Sequence, residues 1–487
     1  MRLSGAAAIA EALADAGVRA AYSFPGSPAT KVSQALERAG RVRHAWTVNE
    51  AVAATMALAG AALRNWGTAC IIKHVGTNVA LDALATGAQL SEYASPCLLV
   101  EGIDARPRTS QNAQDNRPLW SAHARVVALE PGNPDECYAL TRWAARLSAR
   151  SGMPVVVRAE ERVLSAEAEV AVEAAATLPA EPPAWQQPVP LISTAKTCGF
   201  HVERRARLLA AVELPYALAP GAGPRGYLVA GQMGALAAAG APTLRLGGCH
   251  PLPAARIRGF AHALDELVVV EEGLPLLTEA VRALGLGARV LRGELPPAVP
   301  SPPLVRPELP ELPASDWASF YAHARAGMPG FAATDPRLAL FRALRALARP
   351  TLIASDPGTT GVLGIRDGLV DLKLQMGCAA PAAGALADAG VAALPVAVMG
   401  DTNFYHSELA GVLDNAMAGR EVLHVLVVNR KSEMTAGVRT PYLTDGALDA
   451  LLCAAGLAVV PDLAAAAGAR GPRIVVAHTE TEVAADM

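Results

Sequence analysis

No Cys-x-x-Cys occurs anywhere in this chain, and the nearest two of its seven cysteines are Cys70 and Cys97. That excludes an iron–sulfur cluster held by the usual tightly spaced thiolates, and an odd, scattered set suits reduced, mostly buried thiols in a cytoplasm. Charge of one sign is scarce as well. A net charge of −3 and a pI near 6.4 argue against nucleic acid or an anionic membrane as partner. Long apolar runs are missing too: 42 Gly and 37 Pro interrupt a 52% hydrophobic chain, so no segment offers the unbroken span of a membrane helix. The opening MRLSGAAAIAEALADAG carries Glu11 and Asp15 on an amphipathic helix pattern and lacks the basic region, apolar core and cleavage site of an export signal. The expectation is a soluble cytoplasmic protein that works on small molecules.

What the 487 residues do contain is alternating strand and helix patterns, with room for three domains. Residues 1–175 alternate helix and strand. A loop at Phe24-Pro25-Gly26-Ser27-Pro28 follows the strand Ala20 to Ser23, and Lys73 to Asn78 follow the strand Thr68 to Ile72 and open another helix. Residues 176–192 read as a Pro- and Ala-rich linker, and 193–295 as a second α/β unit. Gly221 to Gly226 match G-x-G-x-x-G literally but precede a strand and open no helix, so they read as a loop. A stiff Pro-rich connector over 295–313 leads to a third α/β unit, 314–487. The fold class is α/β, three open doubly wound domains.

The most informative stretch is Leu394 to Gly437. Two short apolar runs, Leu394 to Met399 and Val422 to Val428, flank a helix pattern whose stripe is Leu409, Val412, Leu413, Ala416 and Met417, stopped by Gly419. This is a right-handed βαβ crossover, so both strands end at one carboxyl edge and Asp401 and Asn429 arrive there together. A carboxylate and an amide oxygen with no further cage suit Mg2+, which completes its octahedron from substrate phosphates and water. A diphosphate cofactor is implied.

Gly400-Asp401-Thr402 followed by Val428-Asn429 resembles the thiamin-diphosphate motif, Gly-Asp-Gly and then Asn-Asn some two dozen residues later. The third Gly and the first Asn are replaced, while the two metal-ligating positions are kept. By that resemblance the metal ligands are Asp401, Asn429 and the backbone carbonyl of Lys431. Thiamin diphosphate also needs an acid against its aminopyrimidine ring, and Glu50, opening a helix in the first domain, stands at the right place in chain order. Its bland alternative is an acid complementing a helix dipole. Met376 stands where thiamin enzymes keep a bulky apolar prop, followed by Gly377; the alternative is a core methionine.

The first domain further resembles the α subunit of indolepyruvate:ferredoxin oxidoreductase, through Phe24-Pro25-Gly26-Ser27-Pro28-Ala29-Thr30, Asn49-Glu50, Lys73 to Asn78 and Ser110 to Arg117. The match continues through Leu246 to Pro253 and Asp401 to Ser407. The resemblance implies a pyrimidine-binding domain, a transketolase-C-like domain and a diphosphate-binding domain. It also implies cofactor contacts from Pro25, Gly26, Ser27, Glu50, Gly76, Asn78, Asp356, Thr359, Met376, Gly377, Gly400, Asp401, Thr402, Asn403, Asn429 and Lys431. Within the matching loops His74 and His406 are candidates, with Glu50, for catalytic proton handling, and Lys73 and Gln111 for holding a substrate carboxylate. A homodimer is expected, with the cofactor between domains that commonly come from different subunits.

That family ends in a Cys-rich ferredoxin-like domain, whereas this chain stops at Met487. Where the family has Cys-x-Gly-Cys-Pro-His-Arg, this sequence reads Met328-Pro329-Gly330-Phe331. With that electron exit missing, the expectation is a thiamin-diphosphate- and Mg2+-dependent enzyme on a 2-oxo acid, without an iron–sulfur cluster. It would be a decarboxylase or carboligase that ends by protonation or by attack on an acceptor carbonyl. The alternative is an oxidoreductase α subunit passing electrons to a separate subunit.

Overall fold

In the computed structural model the described residues are 1–104, 106–177, 180–185, 191–231, 235–313, 316–328, 334–358, 360–432 and 435–479. Three main sheets organise them. The first runs Gly248–His250, Ala128–Leu129, Val155–Glu160, Cys97–Ile103, Gly67–Lys73, Val18–Ser23, Arg43–Trp46, all parallel except the first of these strands. The second runs Tyr216–Ala219, Thr243–Leu246, Arg225–Ala230, Glu266–Val270, Arg289–Arg292. The third is wholly parallel: Ala458–Val460, Arg473–His478, Leu423–Val428, Leu394–Gly400, Thr351–Ser355, Leu372–Lys373, Leu191–Ile192. Central strands such as Gly67–Lys73 and Cys97–Ile103 are buried along their whole length, as a parallel sheet with helices on both faces requires. Among the described residues no helix is long and apolar enough to cross a membrane.

The linear boundaries do not separate these sheets cleanly. The expected linker ends in Leu191–Ile192, an edge strand of the third sheet, while Gly248–His250, from the expected second unit, joins the first sheet. Leu208, Val212 and Leu214 pack in the first core. The Pro-rich connector is no free spacer: Ala298–Pro300 pairs with Leu236–Ala238, and Leu304, Leu309 and Leu312 press on the first core. Extended Pro-rich chain has unpaired backbone and apolar side chains, and both are satisfied here by lying along neighbours. Residues Gly221 to Pro224 do form a loop before the strand Arg225–Ala230.

The βαβ unit forms as expected, with two differences. One helical stretch runs from Asp401 to Met417, with a π turn over Phe404–Glu408. Its buried face is rotated from the apolar stripe: Met417 is 78% exposed, whereas Asp414 and Asn415 are buried. The polar pair wins because each has fixed partners, Asp414 accepting from Val48 N at 2.9 Å and from Arg420, and Asn415 donating to Ala380 O at 2.8 Å. The Lys73–Asn78 block forms a 3-10 turn, His74–Asn78, ahead of the helix Leu81–Gly87.

The first and third sheets meet through two alanine-rich helices, Glu50–Ala61 and Ala379–Asp388, whose small side chains share one buried core. Three polar ties fix the seam. Gln375 Nε2 donates to Thr55 Oγ1 at 2.7 Å, Arg43 Nη2 to Asp388 Oδ1 at 2.6 Å, and Val48 N to Asp414 as above.

Candidate functional site

From Thr351–Ser355 the chain steps to one side of the third sheet, at Leu372–Lys373, and returns on the other side, at Leu394–Gly400. A crevice must open at the carboxyl ends of such strands. A cavity of about 240 Å³ lies there, bordered by Gly358, Gly400, Asp401, Asn429 and Lys431. Asp401 is 3% exposed. Its Oδ2 accepts from Asn429 N at 3.1 Å and Arg430 N at 2.6 Å, and its Oδ1 accepts from Thr402 N at 2.7 Å. These bonds bring the ends of two parallel strands together, the juxtaposition expected from sequence. Asn429 Oδ1 accepts from Lys431 N at 3.2 Å across a turn in which Arg430 has φ 57°. Carboxylate, amide oxygen and backbone carbonyl form a hard-oxygen donor set that fits Mg2+. Thr402 and Asn403 border the same cavity; Asn403 Nδ2 donates to Pro357 O at 3.1 Å and so ties the two strand-end loops. Thr359, and with it Pro329 to Phe331, lies outside the described residues.

Asp356 has a second set of partners. It borders the cavity, but its Oδ1 accepts from Gly377 N at 2.9 Å and Cys378 N at 3.0 Å, while Glu408 accepts from Ala379 N and Ala380 N at 2.5 and 2.8 Å. Two carboxylates thus take the four backbone donors entering the helix Ala379–Asp388, so Asp356 caps a helix while bordering the cavity. Burial raises the pKa of both. A side-chain hydrogen bond links the two. No sequence pattern points to Glu408, because its partner Asp356 is distant in the chain.

A second cavity, of about 310 Å³, lies in the seam, with Asn49, Val52 and Val79 on one wall and Met376, Gly377 and His406 on the other. Met376 borders both cavities and stands between them. The turn after it is tight: Gly377 has φ 86°, and a methyl group there would stand 2.4 Å from Ser407 Oγ. Glu50 opens its helix and itself borders neither cavity, whereas its neighbours Asn49 and Ala51 line the second; Asn49 accepts from Val52 N at 2.9 Å as cap. Burial raises the pKa of Glu50. Its carboxyl rests on Gly76, where a methyl group would come within 2.4 Å of Oε1. His406 Nδ1 pairs with Ser407 Oγ at 2.9 Å.

The other expected contacts cluster elsewhere. Pro25, Gly26 and Ser27 lie at the switch point of the first sheet and border neither cavity; Gly26 packs on the Lys73 side chain, and Lys73 Nζ donates to Thr109 O and Oγ1, both at 3.2 Å. His74 is 0% exposed and faces neither cavity, so it is not placed for proton handling there; burial lowers its pKa. Asn78 and Gln111 are exposed. Asn78 bonds to Gln114. The Ser110–Arg117 block is a brace: Asn116 donates to His74 O at 2.7 Å and to Glu101, and Arg117 forks onto Glu130 at 3.1 Å. Gln375, Tyr405 and Ser407 border the seam, and Arg337 the first cavity, without having been singled out in the sequence. Asp335-Pro336-Arg337 is a helix-start signature that could have placed Arg337 at this edge.

Residues 3–120 match the family of thiamine pyrophosphate enzymes through its N-terminal TPP binding domain. The chain is 26% identical to indolepyruvate oxidoreductase subunit IorA of Methanothermobacter thermautotrophicus and 27% identical to that of Methanothermobacter marburgensis. Each alignment covers 91% of this chain and 77% of the relative. The fold is similar to that of a putative thiamin diphosphate-dependent enzyme from Mycobacterium smegmatis, with a TM-score of 0.51 and 16% identity over 99% of this chain and 100% of that one. The chain is therefore an α/β protein of the thiamine pyrophosphate enzyme fold, distantly related over most of its length to the IorA subunits of indolepyruvate oxidoreductases.

Proposed function

We propose that this chain is a thiamin-diphosphate- and Mg2+-dependent enzyme acting on a 2-oxo acid, as an α-type subunit that passes electrons to a separate partner. The observation that carries the reading is Met376 bordering both a cavity with a hard-oxygen donor set and a cavity lined by Asn49 and Ala51, the chain neighbours of Glu50. Asp401, Asn429 and the Lys431 carbonyl would hold the metal, with the diphosphate beside it, and Met376 and Glu50 would serve the ring. In this reading the three sheets are the diphosphate-binding (third), pyrimidine-binding (first) and transketolase-C-like (second) domains. When bound, thiamin diphosphate supplies the carbon nucleophile that attacks a 2-oxo group and accepts the electron pair released by decarboxylation.

The chain's own residues orient and exchange protons. Glu50, half-buried and easier to protonate than a free glutamate, is suited to share a proton with a ring nitrogen. His406 is the histidine on the seam cavity and the candidate for proton transfer to or from substrate. Val52, Val79 and Leu409 give that cavity apolar walls that limit water. Both walls of this cavity come from one chain, and a homodimer is the assembly we propose.

The relation to IorA subunits supports electron transfer to a partner. The scattered cysteines favour the second reading, a non-oxidative decarboxylase or carboligase. Cys70, Cys97, Cys137, Cys249 and Cys378 are buried, and burial pushes Cys97 and Cys249 up to about 12. Anaerobic carbon dioxide release from a panel of 2-oxo acids, with and without a one-electron acceptor dye, separates the two. Release that requires the acceptor supports the proposed reading. Release with an aldehyde or acyloin product in its absence replaces it with the second, and no release under either condition, despite bound cofactor, argues against both.

A further inference from the structure

We infer that Arg337 is a diphosphate-binding residue of the third-sheet cavity, an inference that rests on the thiamin diphosphate reading above. The helix Pro336–Arg345 starts with Asp335 as its N-cap and leads back into the strand Thr351–Ser355. Its first turn therefore lies at the carboxyl edge of the sheet, and Arg337 borders the cavity that also holds Asp401, Asn429 and Lys431. The side chain is oriented in advance. Asp335 Oδ1 accepts from Arg337 N at 2.9 Å and Nε at 3.0 Å, and Oδ2 accepts from Nη2 at 2.6 Å. A guanidinium has five N–H donors in one plane, so a carboxylate gripping the Nε side fixes the plane of the group.

The need for a second cation follows from charge. With a last phosphate pKa of about 6, a diphosphate ester carries roughly two to three negative charges at neutral pH. A divalent metal offsets two of these, while the Asp401 and Asp356 carboxylates on the cavity and Asp335 beside Arg337 add negative charge back. The rest of the wall is largely apolar, with Leu340, Phe341, Val398 and Met399. Uncompensated charge beside such a wall is costly. Among the described residues on the cavity, the cationic side chains are Lys431 and Arg337. A planar guanidinium matches two phosphate oxygens at once, which an ammonium cannot do.

The test is calorimetric titration of the full chain, in Mg2+, with thiamin diphosphate, thiamin monophosphate and thiamin, for the wild type, Arg337→Gln and Arg337→Lys. The expected result is a loss of diphosphate affinity of about tenfold to a hundredfold in Arg337→Gln, partial recovery in Arg337→Lys, and thiamin affinity unchanged. Diphosphate affinity within twofold of wild type in Arg337→Gln overturns the inference, as does an equal loss for all three ligands, which would mean that Arg337 acts through the fold. Thermal melting of the ligand-free variants identifies a helix that fails to form; in that case Arg337→Lys decides, since it should bind diphosphate more weakly than wild type while melting alike. If the wild type itself takes up no diphosphate in Mg2+, the cofactor reading falls and not merely the role of Arg337.

Discussion

In the first sheet the strand Val18–Ser23 lies between Arg43–Trp46 and Gly67–Lys73; in the third, Thr351–Ser355 lies between Leu372–Lys373 and Leu394–Gly400. Each sheet then continues outward, through Cys97–Ile103 in one and Leu423–Val428 in the other. The helix after the second strand of each set, Glu50–Ala61 or Ala379–Asp388, packs on its counterpart across the seam. The scaffolds match but the strand ends do not. After the strand Leu394–Gly400 stands Asp401, open to a cavity; at the matching place in the first sheet stands His74, enclosed. After Leu423–Val428 stands Asn429, also on the cavity; after Cys97–Ile103 stands Asp104, which accepts from the backbone N–H groups of Arg108, Thr109 and Ser110 and closes its own loop. On the proposed reading, one copy of the arrangement would offer its carboxyl edge to a metal and phosphates. The other turns that edge into bracing and contributes the start of its helix, Asn49 and Glu50.

The largest expected effect tests this division directly. Asp401→Ala should weaken Mg2+-dependent thiamin diphosphate binding by at least about a hundredfold, since one of two side-chain ligands is lost. His74→Ala, at the matching strand end, should leave that affinity within a few-fold and instead lower stability by about 2–3 kcal/mol, the cost of a cavity. Calorimetry and denaturant melts on both variants settle the comparison, and equal losses of cofactor affinity would abolish it. The next effect concerns the helix starts. Glu50→Gln should keep the cofactor bound but slow exchange of its carbon-2 proton, followed by NMR, by about two orders of magnitude, because an amide cannot cycle a proton. Normal exchange would return Glu50 to a dipole-complementing role. Gly76→Ala should act more mildly and through Glu50: the added methyl displaces the carboxyl, with an overpacking cost of about 1–3 kcal/mol and slower exchange at nearly unchanged affinity. Glu50→Gln and Gly76→Ala combined should then slow exchange no further than Glu50→Gln alone.

The third-sheet strand ends were legible because a strand end is a local pattern. A short apolar run closed by Gly400-Asp401, and another closed by Asn429, fix both residues at one edge once the crossover hand is known. Glu50 and Met376 were legible as positions in chain order. The surroundings of His74 and the second set of partners of Asp356 were not, since a side chain on a strand-end loop can turn toward a cavity or into the body of the sheet. Tertiary partners decide which. The braces Asn116, Gln114 and Glu101 close over the His74 turn, and the helix entered by Gly377 claims Asp356. The buried face of Leu409–Met417 was misjudged for the same reason: apolar periodicity is a weak guide when buried polar groups have fixed partners across a seam.

The smallest effect is a difference of sign between the two sheets. In the third, burial holds the pKa of Glu408 and of its partner Asp356 above the ordinary carboxylate range. In the first, burial also acts to raise Asp104, but its backbone and hydroxyl donors prevail and hold it at about 2. A raised carboxyl binds its proton more tightly in the folded state, so its contribution to stability is complete below the unfolded pKa of about 4 and is lost as pH rises through the folded value. A lowered one contributes above the unfolded pKa and loses that contribution as pH falls toward about 2. Glu408→Gln should therefore cost most at mildly acidic pH, with the gap to wild type narrowing by on the order of 1 kcal/mol toward alkaline pH, because the amide keeps one acceptor and never ionises. Asp104→Asn should run the other way, with a gap that is full at neutral pH and shrinks on acidification. Denaturant melts over a series of pH values read both slopes. Parallel curves for Glu408→Gln and wild type would show that Glu408 does not carry the shared proton, and would remove the distinction between a capped, protonated strand end and a braced, ionised one.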